Sequence, residues 1–290
     1  MLVCRTVASL RVARASLEGR VAFVPTMGAL HAGHLSLVGL ARRDADATVA
    51  SIFVNPTQFN DPGDLAAYPR TLEADLQLLE EAGVAVVFVP DAETIYPPGE
   101  QAVVVDVPHL TAVLEGEHRP GHFAGVCRVV LKLFNLVQPD VAVFGMKDFQ
   151  QLRVIEAMTR GLNLPVEIVR GPTLRDPDGL AMSSRNRRLS DEARAAALAI
   201  PAALRAARAG VAESGDVVQE VARLRLMLER AQALTIEYAV AVSPVDLRQT
   251  DAVPVLFAVA ARVDGVRLID NVLVVDDHAA ASSVAAKIPQ

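Results

Sequence analysis

Between residues 20 and 171 one pattern recurs: a short apolar run, then a longer segment whose apolar residues return every three or four positions. The runs "RVAFVP" (20–25), "TVASIFVN" (48–55), "VAVVFVP" (84–90), "DVAVFG" (140–145) and "PVEIVRG" (165–171) read as strands. Their Val, Ile and Phe suit a sheet covered on both faces. The segments "GHLSLVGLARRDA", "LEADLQLLEEAG", "GVCRVVLKLFNLVQP" and "FQQLRVIEAMTRGLN" carry helical spacing, closed by Gly83, Pro139 and Gly161. Strictly alternating strands and helices predict an α/β fold, a Rossmann-like, doubly wound parallel sheet with right-handed crossovers.

Beyond "LRDPDGLAMSSRNRRLS" the pattern changes. Residues 191–209 and 216–233 are Ala/Leu/Arg-rich and helical, and "IEYAVAVSP", "VLFAVAARV" and "VRLIDNVLVV" follow as strands. The "DG" between the last two is a hairpin signal and demands antiparallel pairing. A smaller α+β domain with an antiparallel sheet is therefore expected over 174–290, after a first domain over 1–173. The terminal "AAASSVAAKIPQ" is expected to be weakly ordered.

Composition narrows the partners. Hydrophobic residues make up 52% of the chain and charged ones 21%, enough for a sizeable core. A net charge of −6 opposes any general affinity for nucleic acid. Two cysteines exclude a disulfide framework, and no uncharged run approaches the ~18 residues of a membrane span. A cytoplasmic chain with neither nucleic-acid nor membrane partners is the expectation.

Polar clusters sit where the strands end, which is where open parallel sheets bind ligands. "PTMGALHAGH" follows the first of these strands, "NPTQF" the second and "GMKDFQQ" the fourth. In the first cluster Gly28 permits a tight turn, and a helix N-terminus offers free N–H groups to an anion. From spacing alone, His31 and His34 fit an exposed pair, a metal clip or a phosphate site. Zinc lacks a third nearby ligand and the Glu of H-E-x-x-H. Lys147 supplies a point charge and Asp148 a helix cap, although a Gly turn with a solvated Lys reads equally simply. Asn55, Gln58 and Gln151 are neutral amides able to bind a hydroxyl or carboxylate. Arg119 and His122 either line the site or merely start a helix. Ser183, Ser184 and Arg185 form a donor-rich, mobile-looking loop suited to closing over a triphosphate. Standing alone, that loop reads more simply as a Ser/Asn-rich helix start with surface arginines.

"PTMGALHAGH" resembles the nucleotide-binding signature of the HIGH superfamily of nucleotidyltransferases, and "MSSRN" resembles its second signature. Together with "SIFVNPTQF", "YPRT", "RPGHFAGV", "FGMKDFQQL" and "DGLAMSSRN", collinear over about residues 20–190, they resemble the pantoate–β-alanine ligase family. The resemblance implies ATP-dependent condensation of pantoate with β-alanine to pantothenate through pantoyl adenylate, with Mg2+ and a homodimer. It places ATP on Met27, Gly28, Ala29, Leu30, His31, Ala32, Gly33 and His34, with His34 as proton donor. It adds Gly145, Met146, Lys147 and Asp148 for the nucleotide, Leu174 for adenine, and Met182, Ser183, Ser184 and Arg185 over the phosphates. Gln58 and Gln151 are implied to bind the acid substrates and Asn55 to orient them. The implied catalytic set is thus His31, His34, Asn55 and Lys147.

Two departures from the family pattern stand out. Met146 replaces a common acidic residue, and the acidic cluster after "YPRT" is reduced to Glu73 and Asp75 around Ala74. Asp75 is then the remaining candidate metal ligand, beside Mg2+ carried by ATP phosphates and water. A nucleotidyltransferase making a dinucleotide or CDP-linked product would share the histidine pair but should lack the amides at 55, 58 and 151. A silent nucleotide-binding module would not need every phosphate-contacting position. A transfer-RNA ligase would need an RNA-binding module that an acidic chain of this length does not display.

Overall fold

The computed structural model describes residues 1–275; the terminal segment "AAASSVAAKIPQ" lies outside the described residues. The chain separates into two compact units, Met1–Leu174 and a second from Arg175 on.

The first unit is a six-stranded sheet in the order β1-β4-β3-β2-β5-β6, parallel throughout. Its strands are β1 (Leu2–Cys4), β2 (Val21–Thr26), β3 (Ala47–Ile52), β4 (Val86–Phe88), β5 (Val141–Gly145) and β6 (Glu167–Gly171). Helices Ala32–Asp44, Leu72–Glu81, His122–Val137 and Phe149–Gly161 connect them, as the periodicity predicts. From β2 the chain steps outward to β3 and β4, then returns to lay β5 on the other side of β2. The direction of winding therefore reverses between β2 and β5, where their carboxyl ends splay apart and leave a crevice.

The sheet is buried on both faces, which explains why its strands lack polar alternation. Ala22, Val24, Ala50, Val87, Val141 and Val143 pack with Val38, Ala41 and Leu79 on one face. On the other, Phe134 meets Phe23 and Phe144 edge to face, at ring separations of 6.5 and 6.3 Å. Strand β1 and the helix Val7–Ala15 are absent from the sequence reading. Three residues at a sheet edge carry no periodicity, and only pairing of Leu2 with Val86 reveals the strand.

The second unit packs helices Asp191–Ala197, Ala199–Ser214 and Val217–Glu229 around an antiparallel sheet of β7 (Thr235–Val242), β8 (Val255–Val263) and β9 (Val266–Val274). The "DG" hairpin joins β8 to β9 as expected, with Asp264 and Gly265 both at positive φ. The stretch Asp191–Ser214 is long and apolar enough to cross a membrane by length and composition alone. Its Ala197, Ile200, Ala203, Leu204, Ala207 and Val211 nevertheless pack within the hydrophobic core of this unit.

The residues around the "DGLAMSSRN" segment are joined by ion pairs and hydrogen bonds. Arg175 makes a two-pronged ion pair with buried Asp270 of β9 at 2.6 and 3.0 Å. Arg194 reaches Asp176 and Asp178 at 2.8 and 2.7 Å, and Asn186 donates to the Ala181 carbonyl at 3.0 Å. Bidentate guanidinium–carboxylate geometry fixes orientation as well as distance. Glycine-rich, polar composition says nothing of such partners 95 residues away.

Candidate active site

The crevice at the winding reversal is built from the ends of β2, β3 and β5. After β2, the Thr26 hydroxyl donates to the Ser51 carbonyl at 2.6 Å and accepts from the Gly28 N–H at 3.2 Å. Gly28 and Ala29 then take positive φ, +81° and +51°. This left-handed pair turns the chain sharply into the helix Ala32–Asp44. Left-handed backbone is open to glycine and unfavourable for alanine, so the second residue needs external support.

His31 is the N-cap of that helix. Its Nδ1 accepts from the Gly33 N–H at 3.1 Å, and His34 Nδ1 accepts from the His31 N–H at 3.4 Å. A backbone N–H can only donate, so each neutral ring keeps its proton on Nε2. The rings lie 4.1 Å apart, tilted by 42°. Burial, then the neighbouring His31, lower the pKa of His34 to about 3; Asp148 opposes the shift and Lys147 adds to it. His34 is therefore a neutral Nε2–H donor at physiological pH.

Lys147 and Asp148 lie in the single 3₁₀ turn Met146–Asp148 directly after β5. Both act electrostatically on His34 of the β2 turn, although more than a hundred positions separate them from it in the chain. Met146 is half-buried in that turn.

At the end of β3 the amides form a connected set. Asn55 is 1% exposed; its Nδ2 donates to Gln58 Oε1 at 2.9 Å and to the Gly125 carbonyl at 3.2 Å. Its Oδ1 accepts from the Thr57 hydroxyl at 2.9 Å and the Tyr96 hydroxyl at 2.8 Å. Every bond Asn55 can donate is thus committed within the protein. It thereby holds Gln58, whose Nε2 lies 3.3 Å from Met27 Sδ. His122 and Arg119 both hold the Gln58 carbonyl, at 2.7 and 3.3 Å. Burial and Arg119 lower the His122 pKa to about 4. Gln151 is half-buried on the first turn of Phe149–Gly161. Its neighbour Gln150 instead anchors the 110–115 segment through the Leu110 and Val113 carbonyls and the Glu115 N–H.

Thr57, Tyr96, Gly125 and Gln150 escape the sequence reading, because nothing local marks them. The one available signal is the glycine in "HFAG". A Cβ on Gly125 would stand 2.3 Å from the Thr57 carbonyl oxygen, so the close approach of the helix to the 3₁₀ turn Pro56–Gln58 at this point requires glycine. Gly125→Ala is expected to lower stability by about 1–3 kcal/mol, as overpacking does, and urea denaturation checks this.

Asp75, the candidate metal ligand, is engaged by backbone amides of the β2 turn. Expected as a metal ligand, it is 2% exposed and turned onto the β2 turn. Its Oδ2 accepts from the Ala29 N–H at 2.9 Å and its Oδ1 from the Leu30 N–H at 2.8 Å. Glu73 is exposed. Among the described residues, no group of three or more His, Cys, Asp or Glu could hold a metal. The backbone amides of Ala29 and Leu30, in the turn assigned to ATP by the family resemblance, both donate to Asp75. Leu174 is 40% exposed at the end of the first unit, whereas Met182, Ser183, Ser184 and Arg185 belong to the second, with Ser183 capping the turn Ser184–Arg188.

Residues 2–273 match a family model described as pantoate-beta-alanine ligase. A pantothenate synthetase from Acidothermus cellulolyticus is 50% identical over 276 residues, which cover 93% of this chain and 90% of the relative. The crystal structure of pantothenate synthetase from Thermus thermophilus superposes with a TM-score of 0.90 at 46% identity, covering 95% of this chain and all of that one. A pantoate-beta-alanine ligase from Francisella tularensis, complexed with beta-gamma ATP and beta-alanine, is 32% identical with a TM-score of 0.78, covering 94% of this chain and 97% of that one.

Proposed function

The chain belongs to the pantoate–β-alanine ligase family, ATP-dependent enzymes that join pantoate to β-alanine, and on that premise we propose how its residues divide the reaction. A pantoate carboxylate oxygen attacks the α-phosphorus of ATP, pyrophosphate leaves, and pantoyl adenylate forms. The β-alanine amine then attacks the acyl carbon, loses a proton, and AMP departs with the C–O bonding pair. Negative charge grows on phosphoryl oxygens in the first step, so positioned donors and cations carry the catalysis. The chemistry calls for no protein nucleophile.

One observation carries this assignment: the winding reversal between β2 and β5 sets His34 within electrostatic reach of both Lys147 and Asp148. Lys147 takes phosphate charge, and the Nε2–H groups of His31 and His34 donate to phosphoryl oxygens. Met27 to His34 form the ATP turn, whose Ala29 and Leu30 shape it rather than offering their amides. Gly145, Met146 and Asp148 complete the nucleotide side, and Leu174 is assigned to adenine. For Met182, Ser183, Ser184 and Arg185 the assignment to ATP phosphates rests on the "MSSRN" signature. Gln58, oriented by Asn55, and Gln151 bind the acid substrates. Magnesium accompanies ATP through phosphates and water, where it would offset phosphate charge. A cytoplasmic homodimer completes the reading, by likeness to the family.

AMP formation from ATP and pantoate, with and without β-alanine, tests the scheme. Pyrophosphate release with pantoate alone and AMP release only with both acids are expected. Pyrophosphate release with another acid and none with pantoate would overturn it.

A further inference from the structure

We propose that Asp75 is a positioning residue of the ATP site: its carboxylate holds the Gly28–Leu30 turn in left-handed geometry and thereby sets where His31 and His34 stand. The inference rests on the reading that this turn receives ATP.

The turn needs such a support. Ala29 is fully buried at φ +51° directly after Gly28 at φ +81°. Two successive buried N–H groups there point away from any helix or strand ladder, and buried donors demand acceptors. Asp75, 46 positions on from Ala29, supplies one oxygen to each. The Thr71 hydroxyl donates to Asp75 Oδ2 at 3.2 Å and holds the carboxylate in place. Asp75 also lies in the first turn of Leu72–Glu81, where the helix dipole favours a negative charge. The fit is close, because a Cβ on Gly28 would stand 2.9 Å from Asp75 Oδ2.

The consequence travels along the chain. With the Ala29 and Leu30 peptides fixed, His31 takes the extended N-cap conformation, φ −143° and ψ 173°. Both Nδ1 atoms then become backbone acceptors, and both Nε2–H donors are left in set positions. Catalytic groups lose efficiency when displaced by fractions of an ångström, so a carboxylate that touches no substrate governs the ATP step.

Asp75→Asn and Thr71→Val test this. The first keeps the shape but turns one acceptor into a donor facing a backbone N–H. The second removes only the hydroxyl support. Pantoate-dependent pyrophosphate release is measured against ATP, pantoate and Mg2+, together with hydrogen exchange of the peptide spanning residues 27–34. For Asp75→Asn we expect kcat/KM for ATP to fall at least about tenfold, mainly through KM, with the KM for pantoate and the Mg2+ half-saturation within about twofold. Exchange at residues 27–34 should rise at least about tenfold while the rest of the sheet is unchanged. Thr71→Val should shift both readouts the same way by about two- to fivefold, and it decides the matter if Asp75→Asn does not fold. A Mg2+ half-saturation raised about tenfold, with activity restored by excess Mg2+, would make Asp75 a metal ligand and overturn the proposal. Lost stability with unchanged KM for ATP and unchanged local exchange would overturn it as well. Absence of pantoate-dependent turnover in the unsubstituted enzyme would defeat the functional reading instead, while the exchange measurement would still judge the clamp.

Discussion

Lys147→Ala is expected to slow pantoate-dependent pyrophosphate release by at least about 10²-fold, equivalent to about 2.7 kcal/mol of transition-state stabilisation. The reason is placement. Lys147 is held in a one-turn 3₁₀ segment at the end of β5, beside the histidine pair at the end of β2. Its ammonium is near enough to His34 to disfavour a second positive charge there. As the carboxylate attacks the α-phosphorus, charge builds on oxygens facing that ammonium, and no water needs to reorganise to meet it. The loss should fall mainly on kcat, with pantoate affinity preserved. Lys147→Arg should recover only part of the rate, because a planar fork does not replace a compact point charge. A pyrophosphate assay showing Lys147→Ala at full rate would remove Lys147 from the chemistry.

His34→Ala should cost a similar factor, at least about 10²-fold, since it deletes a preorganised donor. His34→Gln should retain more activity, because its amide can both accept from the His31 N–H and donate onward. The pH profile separates donor from proton carrier. With a pKa of about 3 in the free protein, His34 stays neutral across the working range, so no His34 ionisation should appear in kcat/KM for ATP between about pH 5.5 and 9. A limb near pH 6.5 that vanishes in His34→Gln would mean that His34 cycles through the imidazolium.

The same shift has a stability consequence. His34 and His122 bind protons less readily folded than unfolded, with pKa values of about 3 and about 4 against an ordinary 6.5. As pH falls below the unfolded value, the unfolded chain therefore gains protons first. Stability should be level above about pH 7 and decline as pH falls toward 4, by up to about 1.4 kcal/mol per pH unit for each histidine. Urea denaturation over that range reads it directly. His34→Gln should flatten the slope by one histidine's share.

Much of this protein is determined by local sequence. Five strands of the first sheet and the β8–β9 hairpin follow from apolar runs and the "DG" turn, because burial on both faces and type I′ turns impose their composition. The positions of "PTMGALHAGH", "NPTQF" and "GMKDFQQ" at strand ends follow in the same way, and with them the residues assigned to ATP. Periodicity does not encode which strands become neighbours. The adjacency of β2 and β5, which makes one crevice of two distant motifs, exists only once the crossovers have packed. Nor can composition separate adjacent glutamines: Gln150 braces a loop and Gln151 is the one assigned to substrate, a difference set by which side of one helix turn meets carbonyl oxygens. Asp75 illustrates the limit most clearly. In sequence it is an acid near a nucleotide motif, hence a metal ligand. Folded, its carboxylate accepts from the buried amides of Ala29 and Leu30, a pairing across 46 and 45 positions that only the tertiary structure brings about.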